Sequence, residues 1–272
     1  MGASTTFCGE VSNDAMAWPN LVVEGLRGRF PGIDIDYVNA AVPGYTTQTS
    51  LKNLNYRIEN LHPDIVIIYH ATNDLSQEVW KLAESQGLTP SSSNNQPSWL
   101  AQHMLLWDLA EKNIRIIFAQ HTAESEVGRV SLDEKRFGES FRSDLGQLVE
   151  AASSGGRTVA VVTFSARLRP EQSLEEKKKS AVSALFYMPF MSLDGLLFGY
   201  KRYNEIIREV ARNHNAILIE GENLIPGDAT HFVDSVHFTD TGSRLMADRV
   251  INSLSTNPDF VARLQLAGSS QN

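Results

Sequence analysis

Three short apolar runs rich in β-branched residues constrain this chain most. Residues 65–69 and 158–164 are continuous, and residues 216–219 form a shorter third run. A run without polar alternation fits a strand buried on both faces, the usual state of a parallel strand. Helical patterns come before each. Leu51, Leu54, Ile58 and Leu61 share a face in residues 49–61, which Pro63 stops, and residues 141–152 and 203–213 precede the second and third runs. Strands alternating with helices predict a parallel sheet covered on both faces. Residues 33–38 alternate and read as a further strand ending at Asn39, and residues 242–254 read as a closing helix.

Two regions break the alternation. After a polar Ser/Asn/Gln/Pro loop at 89–98 come a helical stretch at 99–112 and a strand-like run at 114–119. Residues 165–200 hold a charged run, 175–179, and then Phe186, Tyr187, Phe190 and Phe198. Both regions, at about 76–136 and 165–200, read as insertions in a single domain spanning 1–272. They are expected over the strand ends, where α/β folds bind ligands. No internal repeat is apparent.

The chain carries a formal net charge of -8, which argues against a nucleic-acid partner. Cys8 is the single cysteine, so no intrachain disulfide can form. The first residues lack the charged stretch and apolar run of a signal peptide. The most apolar later stretch, 181–200, is broken by Pro189, Asp194, Gly195 and Gly199, so no transmembrane segment is expected. A soluble, cytoplasmic protein is the default expectation.

Four short motifs carry chemistry: Gly2-Ala3-Ser4-Thr5-Thr6, Asn39-Ala40-Ala41-Val42-Pro43-Gly44, Ala71-Thr72-Asn73-Asp74 and Asp234-Ser235-Val236-His237. They supply a hydroxyl nucleophile, a backbone amide, a carboxamide and a carboxylate–imidazole pair. Those are the parts needed to attack a carbonyl and hold the resulting oxyanion. Each has a plainer reading: a helix cap at Ser4, a Pro-Gly turn at Gly44, an Asx-turn or cap at Asn73 or Asp74, and a cap by Thr239 or Asp240 beside a spectator His237.

In this order the motifs, with Ala17-Trp18-Pro19, resemble the SGNH subgroup of the GDSL hydrolases. The resemblance covers Gly2 to about Asp74 and about Phe137 to Leu254. It implies a three-layer α/β/α, flavodoxin-like parallel sheet and hydrolysis of a small-molecule carboxylic ester without a cofactor. It implies Ser4 as nucleophile, His237 as general base and Asp234 as its partner. Ser4 N–H, Gly44 N–H and Asn73 would form the oxyanion hole. Thioester hydrolysis, acyl transfer to or deacetylation of a carbohydrate, and a non-catalytic binding role are the alternatives. The family has glycine where this chain has Ala71, and its first strand should lie immediately before Gly2. Three sources could supply that strand: residues upstream of Met1, the run at 114–119, or strand exchange in a homo-oligomer.

Other candidates are weaker. Asp228, His231, Asp234 and His237 recur every three residues, a spacing that a metal-dependent hydrolase could use. Cys8 is an alternative nucleophile or a packing residue. His70 would line the substrate pocket or satisfy a strand end. Tyr45, Phe186 and Phe190 are further pocket candidates, and the apolar residues of 186–198 form either a lid or ordinary core.

Overall fold

The computed structural model describes residues 1–88 and 128–269. The sheet holds β1 (Ile65–Ile68), β2 (Thr158–Val162) and β3 (Ile217–Ile219), parallel and in that order. Ile65 pairs with Thr158 and Ile68 with Val161, while Ala160 pairs with Ile217 and Val162 with Ile219. Ile68, Val161, Val162 and Ile219 are buried, as expected for strands covered on both sides.

The helices are α1 (Ser4–Phe7), α2 (Trp18–Arg29), α3 (Thr47–Asn53), α4 (Thr72–Ser85), α5 (Glu139–Ser153), α6 (Leu174–Tyr187), α7 (Leu193–Asn213), α8 (Asp240–Thr256) and α9 (Pro258–Ser269). One layer packs α3, α4, α5 and α7 together, and the other packs α2 with α8 and α9. The sheet lies between them, which gives an α/β/α sandwich. Phe141 of α5 stacks on Tyr203 of α7 with ring centroids 4.2 Å apart, and the Tyr203 hydroxyl donates to Glu78 of α4 at 2.6 Å. One aromatic residue thereby locks three helices of one layer.

The expected strand at 33–38 does not form. Ile33 and Ile35 are half-buried while Asp34 and Asp36 are exposed, so the side chains do alternate. A strand also needs a partner for its backbone, and among the described residues this segment has no ladder. Tyr37 and Val38 are exposed. What occupies the neighbouring position is Met1–Gly2. The Met1 amino group donates to Ile67 O, Tyr69 N–H donates to Met1 O at 3.0 Å, and Val42 N–H donates to Gly2 O at 3.2 Å. Two residues thus bridge β1 and the 40–44 loop where a full strand was expected. The polar loop at 89–98, the helix at 99–112 and the run at 114–119 lie outside the described residues.

The reading of 165–200 also changes. The charged run forms the first turns of α6, opened by a reciprocal cap between Ser173 and Glu176. α7 begins ten residues before the helical pattern of 203–213, passing through Gly195 and Gly199. Glycine there serves close packing: a Cβ on Gly199 would lie 3.0 Å from Leu75 of α4. Met188, Met191 and Leu196 are buried in the main core. Ala181, Ala184 and Leu185 of α6 join the same core, so this stretch is largely core.

Candidate active site

Ser4 opens α1 directly after the Met1–Gly2 bridge. The turn that holds it is braced from two sides. Trp18 Nε1 donates to Thr5 O at 3.0 Å and Asn39 Nδ2 to Thr6 O at 3.1 Å. Trp18 in turn packs edge-on against Tyr69 at the end of β1. The second motif and the Ala-Trp-Pro segment therefore both hold the Ser4 turn.

Asp234 and His237 lie on a small hairpin. Phe232 and Phe238 pair across it with their rings 5.1 Å apart, and Val233 N–H donates to His237 O. Asp234 divides its oxygens. Oδ1 accepts from Val236 N–H at 2.8 Å and His237 N–H at 2.9 Å, which folds the turn. Oδ2 lies 2.8 Å from His237 Nδ1. With Nδ1–H directed at the carboxylate, Nε2 becomes the acceptor for the Ser4 hydroxyl, 2.8 Å away. Thr239 caps α8 through Gly242 N–H, so the helix cap and the imidazole contact coexist.

The charges follow this geometry. Burial alone would push the Asp234 carboxyl up, but bonds from the His237 ring and the two backbone amides outweigh it and hold it below the usual range. Burial would likewise lower the His237 imidazole, but the Asp234 bond outweighs it and raises the ring above 6.5.

The 44–47 loop follows Val42, whose N–H donates to Gly2 O two residues before Ser4. Gly44 has φ of +83°, a region natural to glycine, and an added Cβ would meet nothing within 4 Å. Backbone conformation rather than crowding thus selects glycine here. Neither Asn73 nor Asp74 caps its own helix α4; Asn73 clasps this loop, and Asp74 takes the first N–H of α3. Asn73 Nδ2 donates to Tyr45 O at 2.9 Å, and Asp74 Oδ1 accepts from Thr47 N–H at 3.0 Å and Thr47 Oγ1 at 2.6 Å. One of the two Asn73 amide hydrogens is left for another acceptor.

The profile of the GDSL-like Lipase/Acylhydrolase family matches residues 1–245. The chain belongs to that family. It is accordingly a carboxylic ester hydrolase by family. No curated protein matches the chain. Solved structures with the same fold include Axe2, an acetylxylan esterase from Geobacillus stearothermophilus. It is 15% identical over 94% of this chain and 92% of that one, with a TM-score of 0.54. The psychrotrophic esterase EstA from Pseudoalteromonas sp. is 14% identical over 94% of both chains, with a TM-score of 0.54. LAE5, an alpha/beta hydrolase enzyme from the metagenome of Lake Arreo, Spain, is 14% identical over 93% and 91%, with a TM-score of 0.53.

Within this GDSL-family chain the remaining candidates sort by burial. His70 is 3% exposed and its Nε2 lies 2.8 Å from Ser50 Oγ. Burial drives it down to about 3, so it is a neutral strand-end group that supports α3 and does not reach open space. Cys8 is buried, with its thiol pushed up to about 12, which disfavours the thiolate a nucleophile needs. Asp228 pairs with His231 and Asp234 with His237, each at 2.8 Å, and among the described residues no three such groups converge on a metal position. Phe186 and Phe190 are half-buried against Tyr187 and Trp80. Tyr45 is half-buried beside Gly44. Among the described residues no helix is long and apolar enough to cross a membrane.

The role of α6 escaped the sequence reading. Ser235 N–H donates to Ser183 Oγ at 3.0 Å, and Ser235 Oγ accepts from Ala184 N–H at 3.1 Å. Ser235, one of the two residues between Asp234 and His237, is thus bolted to α6. No local sequence signal announces it, because the partners are more than fifty residues apart.

Proposed function

We propose that the chain hydrolyses carboxylic esters through an acyl-enzyme on Ser4. The observation that carries this is the unbroken line Ser4 Oγ–His237 Nε2 and His237 Nδ1–Asp234 Oδ2, 2.8 Å at each step. Ser4 Oγ bonds the acyl carbon as its proton passes to His237 Nε2, and the carbonyl π pair moves onto oxygen. The Ser4 and Gly44 amides and the free Asn73 hydrogen receive that oxygen. When the pair returns, the bond to the alkoxy group breaks and His237 hands its proton to the departing alcohol. Water then repeats the sequence on the acyl-enzyme, restoring Ser4 and releasing the acid. Thioesters and acetylated sugars belong in the same substrate panel, since the site makes the same attack on each. Labelling by a fluorophosphonate, with the adduct located by mass spectrometry, tests the reading. A Ser4 adduct is expected, and an unlabelled but folded chain would overturn it.

The imidazole sets the pH dependence. His237 must be neutral to take the Ser4 proton, and its proton affinity is raised. Activity should therefore be full at alkaline pH and fall as pH drops through a midpoint above 6.5. A kcat/KM profile with an acid midpoint below 6.5 would contradict the assigned base.

Asn73→Ala should lower kcat by roughly 10²–10³-fold while KM changes little, the signature of a donor used in the transition state. A loss under about tenfold would remove Asn73 from the oxyanion hole and leave it only its clasp on Tyr45.

A further inference from the structure

Glu10 lies on the loop that follows α1. Its Oε1 is 3.9 Å from His237 Nε2, the nitrogen that faces Ser4. The loop is fastened: Ser12 N–H and Ser12 Oγ both donate to Asp240 at the start of α8, at 2.9 and 2.7 Å, and Asn13 Oδ1 accepts from Ala15 N–H. Glu10 is therefore held at the imidazole by an anchored segment. Among the described residues its ionic partner is His237.

The spacing exceeds a hydrogen bond, so the interaction is one of charge. The two carboxylates stand at opposite nitrogens, Asp234 bonded to Nδ1 and Glu10 beside Nε2. No other ionisable side chain among the described residues pairs with the ring, and Asp240 is turned to Ser12. Asp234 comes from the hairpin of His237 itself, whereas Glu10 comes from the loop after α1.

We propose that Glu10 is a positioning residue for acyl transfer: its charge stabilises the imidazolium formed when His237 takes the Ser4 proton, and so sets the acid limit of activity. The proposal rests on the serine-hydrolase reading above. Asp234 orients the ring and fixes its tautomer, and Glu10 does neither. It acts only on the protonated form, from the side at which the proton arrives and leaves. The electrostatic balance at His237 agrees: after the Asp234 bond, the Glu10 charge is a further influence raising the ring.

The sign follows from the charge. Removing the carboxylate makes the imidazole easier to deprotonate, so the acid limb moves to lower pH. For Glu10→Gln the kcat/KM midpoint should fall by about half a unit, the size expected for a partly exposed pair. Glu10→Lys should move it about twice as far in the same direction, and Glu10→Asp should restore most of the wild-type profile. Roughly 1 M salt should bring the wild-type and Gln profiles together, which a change in packing would not do. Fluorophosphonate labelling of Ser4 in the wild-type chain is measured alongside. Coincident wild-type and Gln profiles on a labelled, active enzyme would overturn the role of Glu10 and leave the serine chemistry standing. Absence of the wild-type adduct would overturn the underlying reading.

Discussion

Ser4→Ala is expected to lower kcat toward model esters by roughly 10⁶-fold, the scale seen when the nucleophile of a serine triad is removed. That corresponds to about 8 kcal/mol of barrier. The loss should be this large because in the proposed mechanism Ser4, His237 and Asp234 act as one unit: without Oγ, the base has no proton to take and no acyl-enzyme can form. The folded state should hardly notice. Ser4 Oγ bonds His237, while the turn itself is held by Trp18 Nε1 on Thr5 O and Asn39 Nδ2 on Thr6 O, both independent of the serine side chain. Stability should stay within about 0.5 kcal/mol of the parent. The decisive measurement is kcat on a p-nitrophenyl ester, with thermal unfolding on the same preparations. A variant retaining more than a few percent of activity would mean that another group performs the attack. Cys8 is a poor substitute, since its thiol is buried and pushed up to about 12.

Asp234 and His237 were legible as a pair because they stand three positions apart and one hairpin carries both. Ser4 and His237 are 233 residues apart. Their meeting follows from the parallel sheet, which sends the ends of successive strands to one side of the molecule. The apolar runs predicted β1, β2 and β3 because burial on both faces leaves an unmistakable composition. Residues 33–38 show where such patterns stop: alternation reports which side chains face inward, not whether another strand is present to pair the backbone. The start of α7 was hidden for a related reason. Gly195 and Gly199 look like helix breakers in isolation, yet Gly199 sits where α7 approaches Leu75 closely. Glu10 carries no motif at all. Its place beside His237 depends on the Ser12–Asp240 clasp, a contact across 228 residues. Tertiary contacts of this kind leave no local periodicity to read.

Arg249→Ala should destabilise the fold by about 3–5 kcal/mol, the cost of emptying a buried side-chain site and removing its charge-assisted hydrogen bonds. In a chain of this size that lowers Tm by roughly 10 °C. Arg249 is 5% exposed and reaches from α8 to the carboxyl ends of two strands. It donates to Thr163 O at 2.8 Å, Ile219 O at 3.0 Å, Glu220 O at 2.8 Å and Ser165 Oγ at 3.1 Å. Burial lowers its guanidinium to about 10, so it remains charged at neutral pH, and carbonyl and hydroxyl oxygens provide its direct bonds. Ile219 O keeps a second donor in Thr163 N–H at 3.0 Å. Among the described residues Thr163 O has no such substitute and would be left buried at a cost of roughly 1–3 kcal/mol, while Glu220, an exposed residue, loses only a part-buried bond. Arg249→Met separates the two contributions, since it restores most of the volume and none of the donors. If the donors dominate, the methionine variant should unfold nearly as early as the alanine variant; recovery to near wild-type Tm would assign the effect to packing instead. Activity per folded molecule at 25 °C should change only a few-fold in either variant, because His237 is held by Asp234, by its hairpin and by the Ser235 contacts to α6. A collapse of kcat in a variant that is still fully folded would instead show that the strand ends and the candidate base are coupled through α8.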